Sequence, residues 1–261
     1  MKSKTKNQGK NEERTLEHSK KFDTEKTLKV LINKTDPIIF DVGANNGSSV
    51  NDFKAWWPAA HIHCFEPQKE CYNDLIDVVK TYEGLGSVKI NSCAVGSERN
   101  SEAVFYSHEI NSGVSGFNKI NLESKDSIKL KNLNEQDNQA KIAYTQTLNH
   151  ARKVEIIRLD DYISSIDTDL NIDLLKIDTQ GFEPEVLDGL GDKLDNVNVV
   201  LTELMFFDFY ERSLSFSDIE HYLLKFNFRL YDISHISKNP MNGRTDWIDV
   251  IYVHDRLRKK N

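Results

Sequence analysis

Ile38-Ile39-Phe40-Asp41-Val42-Gly43-Ala44-Asn45-Asn46-Gly47 is the stretch on which the reading of this chain turns. Five mostly apolar residues without alternation are the pattern of a short strand buried on both faces. Gly43 ends the strand, and a loop carries the chain into a helix expected over 48–57 and closed by Pro58. A strand, a glycine-bearing turn and a helix make the opening unit of a doubly wound sheet. Ligands of such sheets lie beyond the carboxyl ends of the strands, so residues 41–47 are where a nucleotide-like cofactor is expected.

Outward from this unit a βα rhythm continues. His61–Phe65 reads as a second strand, 68–82 as a second helix and Val88–Val95 as a third strand. Glu155–Leu159 and Ile172–Ile177 read as strands, 183–190 as a helix, Val197–Leu204 as a strand and 216–226 as an amphipathic helix. Phe228–Ile233 and Trp247–Val253 close the chain. The segment between them holds Asn239-Pro240 and Asn242-Gly243 and shows no helical pattern, so an antiparallel hairpin is expected there. The fold class is therefore α/β: a mostly parallel, Rossmann-like sheet of seven strands with a terminal antiparallel hairpin and helices on both faces, the class I methyltransferase arrangement.

Residues 1–27 read as a polar tail or loose helix, 28–255 as the main domain and 256–261 as a basic tail. Residues 97–151 break the rhythm. They are rich in Ser, Asn, Lys and Gln, with one expected strand (Ala103–Tyr106), and so long a connection is expected to do a job of its own, such as capping an acceptor site. A net charge of −7 argues against a protein built to grip nucleic acid. The clusters Lys2, Lys4, Lys6, Lys10 and Arg256, Arg258, Lys259, Lys260 read as solvated ends. No apolar run reaches the roughly 20 residues of a membrane span. With no apolar leader near Met1 and three irregularly spaced cysteines (Cys64, Cys71, Cys93), a cytoplasmic protein with reduced thiols is expected.

Two cofactors fit the loop. A dinucleotide fingerprint wants a further glycine where Asn45 stands, so that pyrophosphate can touch the backbone. S-adenosylmethionine has no pyrophosphate, and Asp41 at the strand end is placed to offset its positive charge. Glu66, about 20 residues on at the end of the second strand, is the carboxylate expected to take the ribose hydroxyls, with Pro67 after it. Cys93, Ala94 and Val95 lie where an adenine would pack. The expected cofactor set is Asp41, Gly43, Ala44, Asn45, Asn46, Gly47, Glu66, Pro67, Cys93, Ala94 and Val95.

Several of these segments together resemble the FkbM-type methyltransferases over about Ile38 to Val253. They are Phe40–Gly47, Phe65-Glu66-Pro67, Ser112–Ser115, Ala94-Val95-Gly96 and Arg158-Leu159-Asp160-Asp161. The most specific is Lys176-Ile177-Asp178-Thr179-Gln180-Gly181-Phe182-Glu183, running on to Val186, Leu187 and Gly189. The resemblance implies a class I fold, S-adenosylmethionine as donor and methylation of a hydroxyl, often on a sugar of a surface polysaccharide or on a secondary metabolite. The stretch from about 117 to 151 and the charged N-terminus depart from the family.

Methyl transfer to a hydroxyl needs in-line positioning and a group to take the proton. Asp178, after the strand 172–177, is the first candidate base. Lys176 points to the same side and needs a buried partner, for which Asp178 or another acid serves. Glu183 orients an acceptor or complements a helix dipole. Glu203 ends the next strand beside Asp178, and the two acids could share a sugar hydroxyl or bind Mg²⁺; no third ligand stands out, so metal is left open. His61 and His63 share a strand face, where zinc is conceivable, but without further ligands they read as packing or surface residues. His235 reads as within reach of the acceptor. Phe206, Phe207, Phe209 and Tyr210 read as core or as a platform for a sugar ring. The competing readings are an NAD-dependent enzyme acting on a nucleotide sugar and a non-catalytic Rossmann-like interaction module.

Overall fold

The structure, a computed structural model, describes residues 17–18, 21–99, 101–124, 138–212 and 214–258. Lys2, Lys4, Lys6, Lys10, Lys259 and Lys260 therefore lie outside the described residues, as does the centre of the 97–151 segment. The elements run α1 (Thr24–Ile32), β1 (Ile38–Val42), α2 (Ser48–Trp56), β2 (His61–Phe65), α3 (Tyr72–Thr81), β3 (Ser87–Asn91), β4 (Ala94–Val95) and β5 (Ser101–Ser107). Then come α4 (Asn138–Thr145), β6 (His150–Ile157), α5 (Leu159–Ile166), β7 (Ile172–Ile177), α6 (Glu183–Leu190), β8 (Val197–Met205), α7 (Phe216–Lys225), β9 (Phe228–Lys238), β10 (Thr245–His254) and α8 (Asp255–Arg258).

Seven strands form one sheet in the order β3-β2-β1-β7-β8-β10-β9. All neighbours are parallel except those of β10, which runs antiparallel to both β8 and β9. The order reverses direction between β1 and β7, so this is a doubly wound sheet whose switch point lies there. It is the class I methyltransferase topology, closed by the expected hairpin.

Strand alternation explains the two-sided core. Phe40, Val42, Leu175, Ile177 and Val200 face one layer with Leu159 and Ile163 of α5, Val186 and Leu187 of α6, and Ile219 and Leu223 of α7. Ile39, Leu174 and Val199 face the other with Leu28 and Leu31 of α1, Val50 and Phe53 of α2, and Leu75 of α3.

Four local expectations are corrected. The run Val88–Val95 is two strands, since the chain leaves the main sheet after Asn91 and β4 pairs instead with β6. β6 likewise belongs to a second, three-stranded sheet (β4-β6-β5), and Leu159 opens helix α5 rather than ending a strand. The hairpin strands are longer than expected, leaving only residues 239–244 between them. Arg256 is not in a solvated tail: its guanidinium donates to Asn198 Oδ1 at 2.8 Å and to the carbonyls of Asp195 and Val197. Among the described residues no helix is long and apolar enough to cross a membrane.

Candidate active site

At the switch point the carboxyl ends of β1, β2 and β7 surround a cleft. Gly43 makes its floor possible. It has φ of +84°, and a Cβ there would lie 2.0 Å from the carbonyl oxygen of Asp178, so only glycine lets the two loops touch. The loop is then held from β2, because Gly43 N–H and Ala44 N–H both donate to Phe65 O.

Glu66 forms the back wall. It is 2% exposed, and its carboxylate accepts from Asn45 N–H (2.8 Å) and from Gln68 N–H (2.7 Å). Burial raises its pKa, and the two amide donors work in the opposite direction. A carboxylate offers about four acceptor sites, so acceptor capacity remains for a ligand. Ala94, Val95, Phe105 and Phe117 give one side of the cleft an apolar lining, and Ser112 and Gly113 lie across its mouth. The strap to which they belong, residues 112–118, is pinned to the loop by Ser112 Oγ, which donates to Asn45 Oδ1 (2.9 Å), and to the turn after β2 by Gln68 Nε2, which donates to Ser112 O (3.2 Å).

Beneath the loop sits an ion-pair network. Lys176 Nζ lies 3.3 Å from Asp41 Oδ1 and 3.5 Å from Asp178 Oδ2, and donates to Gly43 O at 3.2 Å. Burial works against the ammonium, but Asp41 and then Asp178 more than offset it and hold its pKa above the usual lysine range. Asp41 is fully buried, also accepts from Ser49 Oγ, and is not among the residues that line the cleft. Register explains this, since Asp41 is the direct neighbour of Lys176 across β1 and β7.

The turn after β7 separates this cleft from a second, smaller cavity on the β8 side. Asp178 and Thr179 line the first, Glu183, Glu203, Phe207, Tyr210 and Arg212 line the second, and Gln180 lines both. Glu183 holds the turn together: its Oε1 accepts from Thr179 N–H, Thr179 Oγ1 and Gly181 N–H at 2.9–3.2 Å. Glu203 pairs across the ladder with Asp249, and its pKa is pushed up to about 8 by burial and by the charges of Asp178, Asp249 and Glu183. Burial also raises Asp249, against the pull of His235, its own cross-strand neighbour.

Of the residues expected at the cofactor, Gly43, Asn45, Glu66, Pro67, Ala94 and Val95 line the cleft; Asp41, Ala44, Asn46, Gly47 and Cys93 do not. Gly47 instead begins α2 with φ of +87° and packs on Leu75 and Val78. Asp178, Lys176, Glu183 and Glu203 come together around the turn after β7. Unforeseen lining residues are Gln68, Phe105 and Phe117, the last two carried in by a segment whose pairing is non-local. His63 is a packing residue, hydrogen-bonded through Nδ1 to the Tyr162 hydroxyl at 2.8 Å. Phe209 and Tyr210 are buried, whereas Phe206 is exposed. Among the described residues no group of three or more His, Cys, Asp or Glu side chains is placed to hold a metal ion.

Comparison with known proteins follows the same line. The profile of the methyltransferase FkbM domain matches residues 41–230. The chain is 26% identical over 187 residues to 2-O-methyltransferase NoeI of Sinorhizobium fredii (strain NBRC 101917 / NGR234), covering 70% of each. It is 27% identical over 172 residues to Methyltransferase 1 of Beauveria bassiana (strain ARSEF 2860), covering 64% of this chain and 66% of that one. Among solved structures, the precorrin-6y C5,15-methyltransferase of Geobacter metallireducens GS-15 aligns with a TM-score of 0.43 at 9% identity, over 88% of this chain and 86% of that one. A likeness this loose adds nothing to what the strand order already shows. With the profile spanning most of the sheet and both walls of the cleft, the chain belongs to the FkbM methyltransferase family.

Proposed function

We propose that this methyltransferase takes S-adenosylmethionine as its donor and methylates a hydroxyl, on a sugar or on a secondary metabolite. The observation that carries the donor is the charge of the cleft. Among the described residues its lining holds two carboxylates, Glu66 and Asp178, and no lysine or arginine. A pyrophosphate would find no counter-charge there, whereas a ligand with a net positive charge would. Glu66 would hold the ribose hydroxyls through its remaining acceptor capacity. Ala94, Val95, Phe105 and Phe117 would cover the adenine, and Gly43 and Asn45 would meet the remainder along the loop.

When bound, the donor supplies an electrophilic methyl group. The chain's own residues then have two tasks: to hold the acceptor oxygen in line and to remove its proton. Asp178 stands at the border of the two cavities with Lys176 as its cation partner, and we assign it the proton of the acceptor hydroxyl. Glu203, with its pKa near 8, keeps a proton at neutral pH and donates a hydrogen bond to the acceptor from the second cavity. Lys176 and Glu183 hold the loop in register. Residues 105–117 of the 97–151 segment serve as the cover, since Phe105, Ser112 and Phe117 line the cleft. The relative named a 2-O-methyltransferase supports oxygen as the methylated atom.

The test has two arms. Calorimetry with S-adenosylmethionine, S-adenosylhomocysteine and NAD⁺ is expected to show binding of the first two; binding of NAD⁺ alone overturns the donor. Transfer of a labelled methyl group to a panel of methyl glycosides and phenols is expected to label at least one hydroxyl. Label appearing only on amines added to the panel overturns the acceptor class.

A further inference from the structure

Gln180 is a buried polar residue that faces both cavities, and both ends of its amide are committed. Nε2 donates to Asp178 Oδ1 at 2.7 Å, and Oε1 accepts from the Tyr210 hydroxyl at 2.6 Å. Reversing the amide would set an oxygen against the carboxylate, so the network admits one orientation. The backbone is fixed as firmly. Gln180 has φ of +58°, uncommon for a residue with a Cβ, and Asn118 Nδ2 from the strap donates to both Gln180 O (3.2 Å) and Gly181 O (3.0 Å). Tyr210 is itself anchored: it is 4% exposed, packs edge-on against Phe209, and its hydroxyl lies 3.0 Å from Val114 O of the strap. The strap thus grips the Gln180 backbone, while Tyr210, beyond the end of β8, and Asp178, at the head of the turn, share its side chain. Strained, over-determined backbone of this kind is found where a group must be held against its own preference.

We propose that Gln180 is a positioning residue of methyl transfer: gripped by Tyr210, its amide aims the Asp178 carboxylate at the border between donor cleft and acceptor cavity. The inference rests on the reading of Asp178 as the group that takes the acceptor's proton. Gln180 acts through Asp178, so its contribution falls on the chemical step rather than on binding of either substrate.

The experiment compares the wild-type chain with Gln180→Met, Tyr210→Phe and Asp178→Asn, using whichever hydroxyl acceptor of the panel the wild type methylates best. Gln180→Met keeps the length of the side chain and removes its hydrogen bonds; Tyr210→Phe keeps the ring and removes only the hydroxyl. Gln180→Met is expected to lower kcat by about 10- to 100-fold, the scale of a misaimed catalytic group. KM and calorimetric affinity for S-adenosylmethionine stay within about threefold. Tyr210→Phe is expected to lower kcat less, and the double variant no further than Gln180→Met alone, because the two act in one chain. A Gln180→Met kcat equal to wild type, beside an Asp178→Asn that has lost turnover, overturns the role of Gln180 and leaves the base standing. An unimpaired Asp178→Asn, or a wild type that methylates no hydroxyl of the panel, removes the reading beneath the inference and the inference with it. Should both Gln180→Met and Tyr210→Phe weaken donor binding as much as turnover, the contact is structural and the proposal fails.

Discussion

Glu66 is buried and Lys176 is mostly so, yet their substitution should read out in different ways. Glu66 fixes two loop amides and faces the cleft, so Glu66→Ala removes charged hydrogen bonds at the ligand. Each such bond contributes about 1.5–3 kcal/mol. Calorimetric affinity for S-adenosylmethionine should therefore fall by roughly 10- to 100-fold, and an affinity within twofold of wild type would show that Glu66 does not touch the ligand. Lys176 faces no ligand in this assignment; it neutralises Asp41, which has no exposed surface at all. Lys176→Met leaves that carboxylate buried and unpaired, at a cost of about 3–5 kcal/mol. Denaturant unfolding should show this loss, and the double variant Lys176→Met/Asp41→Asn should recover most of it. Equal stability of the single and double variants would mean that Asp41 is not the group left stranded.

At the scale of elements, α6 depends on one missing side chain. A Cβ on Gly189 would lie 2.2 Å from Gly96 O, so the helix rests backbone to backbone on the chain that follows β4. Gly189→Ala should push α6 outward and cost about 1–3 kcal/mol, the usual penalty of overpacking. A matching drop in Tm checks it; a neutral or stabilising result would show the contact to be slack. The Leu187-x-Gly189 pattern that helped to identify the family thus has a packing cause. Much else at this scale was legible from residues alone: the unalternating run Ile38–Val42, the apolar stripe of α7, the turn residues of the hairpin. What stayed illegible depended on partners far away in the chain. Nothing local distinguishes Val88–Asn91 from Ala94–Val95, because the two strands differ only in whether β2 or β6 lies beside them. β-Branched Ile156 and Ile157 likewise extended the strand reading over Leu159, whose place in α5 is shown by its packing with Ile163 against β1 and β7.

Across the whole sheet, register assembles a row that no single segment contains. Lys176 is level with Leu201, which brings Asp178, two residues on, level with Glu203; Glu203 faces Asp249, and Asp249 faces His235. Asp178 and Glu203 stood out in the sequence as acids near neighbouring strand ends. Asp249 did not, because its meeting with Glu203 follows from the antiparallel pairing of β10. That meeting sets the pH response of the molecule. Burial and the neighbouring carboxylates raise Glu203 from 4.5 to about 8, so between these values the folded chain keeps a proton that the unfolded chain has released. Stability contributed at this position is therefore greatest below about pH 4.5 and declines as pH climbs to about 8. Glu203→Gln removes the titration. Its Tm should match wild type near pH 4.5 and exceed it by a few degrees at pH 8.5, and a difference that does not change with pH would show that Glu203 does not hold its proton. The same proton bears on activity: as a hydrogen-bond donor to the acceptor, Glu203 should make kcat/KM fall as pH rises through about 8. The glutamine variant, still a donor, should keep that limb flat. A rate that instead rises through pH 8 and vanishes in Glu203→Gln would transfer the role of base from Asp178 to Glu203.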